Sequence, residues 1–378
     1  MMKNRGMAMS QLIQPGATIG IIGGGVTSYL LASTAHEMGL KTVILAPKQT
    51  DVALEAADIP LVGSATDSAG LTQLAELSEV VTFVNEMVDG YQLNELFTAD
   101  QLRSGSDILS ITQDRYLEKV FLEEQNLNIL PYAQVVSAED IDQAVKSIGF
   151  PCMIKPLQKG VGIDQQWQLD QASDIAAVKQ LLKPQPYIVE AWIDQPRMLA
   201  VTVVKTADQV QVLPAVELTR NGQHLQAVVL PPRIEAGGVR EVSRVAKVVA
   251  DELNYTGVFS IQFLVSKLGA LYIDRIYPTL HVSGGIYSGV LPISQYAFHL
   301  RALLHWPLPE ATATSDAVWL PLRNKERDAV ITQLQIKPDW RFRFYPDGTH
   351  FMGHVQVVGD RDTVIDGINA TGTFAVNN

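Results

Sequence analysis

Apolar and polar positions along this chain follow two periods, and the switches between them mark out its elements. Thr18–Ile22 is apolar, Gly23-Gly24-Gly25 turns, 29–38 has helical spacing, and 42–45 is apolar again. Ile59–Val62, a helix over 69–77 and the strand Val80–Phe83 continue the alternation to about Ser110. Strand, helix and strand in that order predict a βαβ unit with a parallel sheet. A second region opens with a helix over 114–125, a strand over 133–136, a helix over 138–148 and a strand over 151–155. A polar, glycine-containing loop, a helix over 172–182 and a strand over 187–190 follow. Strands are expected at 199–204, 210–216 and 227–230, then a long helix over 239–253. A hairpin pairs 258–265 with 270–276 through Ser266-Lys267-Leu268-Gly269. Beyond Pro307 a short β-rich module ends near Val358.

Composition narrows the class. With 378 residues, two or three domains are expected, and 47% hydrophobic with 18% charged residues is an ordinary globular balance. A net charge of −11 argues against nucleic acid as a partner, which would call for a basic stripe. It does not argue against small anions, which are held by local charge and backbone amides. The single cysteine, Cys152, lies in an apolar run, excludes an internal disulfide and reads as a buried, inert thiol. No run of about 18 apolar residues predicts a membrane span. The first 17 residues lack the apolar stretch of a secretory signal and read as a loose extension, so the chain is expected in the cytoplasm.

The glycine turn is the first candidate for chemistry. Gly23-Gly24-Gly25-Val26-Thr27-Ser28 resembles a dinucleotide fingerprint, with Ser28 at the third glycine's place. Such a site also needs an acid after the second strand for the ribose hydroxyl, but that strand ends in Leu45-Ala46-Pro47-Lys48. A tight turn packing helix against sheet is the favoured reading over a dehydrogenase site.

A more specific order of short patterns follows. Thr112-Gln113-Asp114-Arg115 with Glu118-Lys119 opens the second region, and Pro151-Cys152-Met153-Ile154-Lys155 precedes the polar loop. Glu190-Ala191-Trp192-Ile193 closes a strand, and Pro231-Pro232-Arg233-Ile234 precedes the long helix. Tyr272-Ile273-Asp274-Arg275-Ile276-Tyr277-Pro278 ends the hairpin, then come His281-Val282-Ser283-Gly284 and, later, Met352-Gly353-His354-Val355. In this order the chain resembles the N5-carboxyaminoimidazole ribonucleotide synthetases, the PurK proteins of purine biosynthesis, over about residues 18–358.

The resemblance implies an α/β, three-domain ATP-grasp architecture. A Rossmann-like domain would span 18–110, an ATP-grasp domain 111–306 with a lid at about 130–195, and a β-rich domain 307–360, with 1–17 and 361–378 as loose tails. It implies a homodimer and an ATP- and magnesium-dependent ligase that makes carboxyphosphate from bicarbonate and carboxylates aminoimidazole ribonucleotide. By position, Arg115 and Lys155 would reach ATP phosphates, while Glu190, Trp192 and Ile193 would form the adenine hinge. Glu86, His281, Ser283 and Gly284 would lie on the substrate side.

Departures from the family pattern fall on chemistry. The family's two magnesium glutamates, one on each hairpin strand, are here Gln262 and Arg275. Alternation puts both on one face and turns Asp274 to the other unless the strand bulges. Two carboxylates would clamp a hard cation, whereas an amide oxygen is a weak ligand and a guanidinium offers only donors. At about 4 Å and an effective dielectric of 20, a unit charge pair is worth roughly 4 kcal/mol, so a divalent ion beside Arg275 would meet roughly 8 kcal/mol of repulsion. Magnesium binding of the family type is therefore not expected.

In the polar loop Gly160 and Gln166 match the family, but Asp164 stands at the lid lysine's place, leaving Lys159 as a shifted substitute. Met198 replaces an acid expected at the ribose. His350-Phe351 replaces the basic pair that would hold the substrate phosphate, with Asp347 where an arginine is usual.

Three readings follow. The chain is a nucleotide-binding or regulatory relative without the family reaction, an ATP-grasp ligase for another substrate that uses Arg275 as a built-in cation, or a slow family enzyme with Gln262 and Asp274 as makeshift ligands.

Overall fold

Two neighbouring faces of apolar side chains hold the first unit together. Strands β1 (Thr18–Ile22), β2 (Lys41–Ala46), β3 (Ile59–Val62) and β4 (Val80–Phe83) form a parallel sheet in the order β3-β2-β1-β4. Ile19 and Ile21 are buried with Leu31 and Ala35 of the helix Gly25–Glu37, while Ile22 is buried with Leu71 and Leu74 of the helix Ser68–Leu77. Parallel strands joined through helices are the βαβ arrangement read from the pattern. These coordinates come from a computed structural model, which describes residues 12–376 apart from 161–163, 223, 348 and 350. Three residues of the polar loop, His350, and the first eleven residues of the expected N-terminal extension lie outside the described residues.

Strands β5 (Tyr132–Val135), β6 (Cys152–Pro156), β7 (Trp167–Leu169) and β8 (Tyr187–Ala191) form a small antiparallel sheet ordered β5-β8-β6-β7. The helices Asp140–Ile148 and Asp174–Leu181 pack on it with a core of their own that includes Ile141, Val145, Ile154, Val178 and Val189. Cys152 is fully buried there, and burial pushes its thiol up to about 11, as an inert apolar thiol should behave.

The remaining strands make one nine-stranded sheet: β9 (Arg197–Lys205), β10 (Val210–Val212), β11 (Val216–Asn221), β12 (His224–Leu230), β13 (Gly257–Val265), β14 (Leu271–Tyr277), β15 (Ala317–Arg323), β16 (Arg341–Phe344) and β17 (Phe351–Val358). Its main path runs β14-β13-β9-β11-β12-β15-β17-β16, with β10 added to β9. The helix Ala236–Glu252 covers β9 with Val242, Val245, Ala246, Val249 and Ala250, an i, i+3, i+4, i+7, i+8 stripe.

Three expectations change or gain detail. The apolar run 210–216 splits into β10 and β11, because Pro214 has no N–H to donate and Leu213 turns to bond Thr202 O. The β-rich module beyond Pro307 adds its strands to the large sheet, since β15 pairs with β12. The stretch from 361, expected to be loose, forms the helix Arg361–Asn369, capped by Asp360 and anchored by buried Val364, Ile365 and Ile368. Its stripe is only three residues wide among Asp, Gly and Asn, too short to read as periodic. At the other end, residues 12–17 are also tied down: Ile13 N–H donates to Leu304 O (3.1 Å), and Trp306 Nε1–H to Ile13 O (2.7 Å). Among the described residues no helix is long and apolar enough to cross a membrane.

Candidate functional site

The glycine turn is filled from within. Asp51 Oδ1 accepts the Gly25 N–H at 2.7 Å, and a side chain on Gly24 would run into the same carboxylate. Ser28 Oγ closes the turn by donating to Gly23 O at 2.6 Å. The protein thus supplies its own anion to the helix N-terminus that a dinucleotide phosphate would use. The packing reading of this turn holds, and Asp51 is the residue that sequence spacing did not reveal.

A cleft of about 780 Å³ opens between the small sheet and the β13–β14 hairpin. Lys155 and Glu190 from β6 and β8, with Trp192 and Ile193 beyond β8, line one side. Met198, Glu217 and Arg220 from β9 and β11, and Gln262, Asp274, Arg275 and Tyr277 from the hairpin, line the other. Glu190 is the electrostatic anchor of the first side. Its Oε2 meets Lys155 Nζ at 3.0 Å, and its Oε1 is in close contact with Lys119 Nζ, which is only 3% exposed. Burial alone would raise the carboxyl's pKa, but the two ammonium groups outweigh it and hold it at about 2. Glu190 therefore orders Lys155 in the cleft and neutralises a buried charge, a role that hinge position alone did not disclose.

Arg115 does not line the cleft. Its guanidinium donates to Pro156 O (2.8 Å) and Gln158 O (3.3 Å), fixing the backbone at the base of the polar loop. Lys159, the shifted lid candidate, is buried and pairs with Glu118 Oε1 at 2.7 Å. Glu118 also accepts the Ile276 N–H of β14 (2.7 Å), so this pair ties the loop to the hairpin. Asp164 is exposed.

The hairpin departs from simple alternation. Gln262 and Arg275 share a face, as expected, and pair directly, but the next pair is Phe263 with Ile273, leaving Asp274 as an extra residue. Ile273 and Ile276 turn into the core, while Asp274 and Arg275 both face the cleft. The expectation that Asp274 points away is thus corrected by a β-bulge. Asp274 Oδ2 accepts from Gln262 Nε2 at 2.6 Å, and Gln262 Oε1 accepts from Tyr277 OH at 3.2 Å.

Arg275 is held on two sides. Its terminal nitrogen meets both oxygens of Glu86 at 3.2 and 3.3 Å, and its guanidinium carbon lies 4.0 Å from the Tyr277 ring centroid. Burial works against its charge, but the influence of Tyr277 and Glu86 prevails and lifts its pKa above the ordinary value. Glu86, assigned to the substrate side by resemblance, is therefore spent on the residue at the second metal position. His281 stacks on Tyr277 (4.0 Å between rings) and its Nδ1 accepts from Ser283. Burial, with Arg275 and Arg220 nearby, pushes this imidazole down to about 3 and keeps it neutral. A side chain at Gly284 would displace the Gln295 amide, whose Nε2–H donates to His281 O at 2.9 Å.

The donor set does not fit a magnesium ion of the family type. One carboxylate, accepting from the Gln262 Nε2–H, and one amide oxygen, accepting from Tyr277 OH, face a guanidinium, and among the described residues no three His, Cys, Asp or Glu side chains cluster as a metal site. The Glu86 pairing reduces the repulsion calculated for a lone arginine, but it adds no ligand.

Two antiparallel sheets closing on one cleft, behind a parallel N-terminal sheet, define an ATP-grasp protein. The ATP-grasp domain model matches residues 120–296 and the ribonucleotide synthetase preATP-grasp domain model matches 16–113. N5-carboxyaminoimidazole ribonucleotide synthases of Staphylococcus saprophyticus and Bacillus subtilis are each 27% identical, over 91% of this chain and 93% and 92% of theirs. The ADP complex of a PurK N5-carboxyaminoimidazole ribonucleotide synthetase superposes with a TM-score of 0.90 at 28% identity, covering 97% of this chain and 98% of that one. The Staphylococcus aureus synthetase with ADP gives 0.88 at 25% identity, covering 96% and 98%. The chain belongs to the PurK family of ATP-grasp proteins.

Proposed function

We propose that this chain is a nucleotide-binding PurK relative in which the magnesium-dependent carboxylation typical of the resemblance is impaired. The supporting observation is Arg275, clamped by Glu86 and Tyr277 at the second metal position and consuming the substrate-side acid as it does so. ATP-grasp ligation needs positive charge on the transferred phosphate and an anionic clamp to fix that charge. Here the clamp has lost one carboxylate outright and the other is an amide. The nucleotide side is better preserved: Lys155 is ordered by Glu190, and Trp192 and Ile193 line the cleft. Supplied with ATP, magnesium, bicarbonate and aminoimidazole ribonucleotide, the protein is expected to release phosphate no faster than without bicarbonate. Bicarbonate-dependent turnover at the level of an intact family enzyme run alongside would overturn the reading.

The bulge supports one second reading, a slow family enzyme whose metal is held by Asp274 and Gln262. That reading requires residual turnover in the same assay, abolished by Asp274→Asn.

A further inference from the structure

We infer that the cleft takes the phosphate groups of a nucleotide without a divalent ion, with the guanidinium groups of Arg275 and Arg220 supplying the positive charge. This rests on the nucleotide-binding reading above and adds the charge state of the ligand. Arg275 is a prepared anion donor. Glu86 and the Tyr277 ring fix its plane, and its Nε–H, out of solvent contact, has no hydrogen-bond acceptor among the described residues. Arg220 reaches the same corner from β11: both arginines line the cleft, and the charges of both bear on Tyr277 and His281.

The acids of the cleft offset only part of this charge. Glu190 is shared between Lys119 and Lys155, and Glu217 is bound by Arg233 through Nε and a terminal nitrogen, both at 3.0 Å. Asp274 keeps its charge beside the neutral Gln262 amide, and Glu86 offsets that of Arg275. A site with two metal-binding carboxylates repels a metal-free polyphosphate and admits it only with its cation. A site with guanidinium groups instead gains by taking the more highly charged, uncomplexed form, since planar guanidinium forks match phosphate oxygens. Neutral His281, stacked behind Tyr277, adds no charge of its own.

Isothermal titration of the full chain with ADP and with ATP, in excess EDTA and in excess magnesium chloride, tests this. Affinity in EDTA is expected to equal or exceed that in magnesium. Arg275→Gln is expected to weaken metal-free binding about tenfold or more, the loss of a charge-assisted pair. Because that variant leaves Glu86 without its partner, Arg220→Gln is a second arm, expected to weaken binding in the same direction, with thermal melts of both variants checking that the fold is intact. Binding at least tenfold tighter with magnesium would overturn the inference and leave the nucleotide-binding reading standing. Affinities unmoved in both variants would likewise overturn it. Binding in neither condition would overturn both, and bicarbonate-dependent turnover would count against the parent reading alone.

Discussion

Replacing Gln262 and Arg275 together by glutamate is expected to give the cleft a divalent-ion site about 100-fold tighter than anything the unaltered chain offers. The hairpin already pairs positions 262 and 275 across β13 and β14, and the bulge already turns Asp274 to the same side. The double substitution would therefore set three carboxylates around one point, where now a carboxylate and an amide face a guanidinium. Each unit of charge moved at about 4 Å is worth up to roughly 4 kcal/mol at an effective dielectric of 20. Realising only about 2.7 kcal/mol of that gives the hundredfold gain. Manganese titration followed by electron paramagnetic resonance reads it directly. Arg275→Glu alone should give an intermediate gain, because Gln262 would still contribute only a neutral oxygen. A manganese affinity that stays the same in the double variant, with the fold intact by thermal melt, would show that the charge at these two positions does not decide metal binding.

The second large effect concerns stability. Glu190→Gln should lower the unfolding free energy by about 3–5 kcal/mol, the usual cost of breaking a buried ion pair from one side. The reason lies in Lys119: its ammonium is buried, its only ion-pair partner among the described residues is Glu190, and a neutral amide cannot replace that charge. Lys155 loses the same partner but is more exposed and can reach solvent. Chemical denaturation measures the loss, and the Lys119→Met/Glu190→Leu pair should recover most of it, since a matched apolar pair leaves no uncompensated charge. A single variant as stable as the parent would mean that Lys119 is solvated or neutral in the folded chain.

How much of this was legible beforehand depends on how far each contact reaches along the chain. The β1 to β4 pattern, the Arg115–Glu124 helix and the β13–β14 hairpin rest on local periodicity and were read to within a few residues. That 262 and 275 share a face followed from alternation along the hairpin, but their direct pairing depends on the register shift at the bulge. Asp274 was misplaced because a bulge is a one-residue insertion in a ladder that leaves no trace in the hydrophobic alternation: Ile273 and Ile276 sit three apart, and that spacing is the only hint. Lys155, Glu190, Trp192 and Ile193 do meet in one cleft, whereas Arg115 and Lys159 are turned to other partners. Contacts between distant segments were beyond periodicity altogether. Asp51 in the glycine turn, Glu86 on Arg275 and Glu118 under Lys159 join residues 26, 189 and 41 positions apart, and no local rule selects them. The helix Arg361–Asn369 was missed for a different reason, as its apolar stripe acquires meaning only against β15 and β17.

One diffraction measurement reaches the centre of this account: anomalous scattering at the manganese edge from crystals of the unaltered protein grown with ADP and manganese chloride. Nucleotide density is expected in the cleft, with no manganese peak within coordinating distance of Gln262 or Asp274. A manganese peak bridging those two side chains beside the β-phosphate would contradict it.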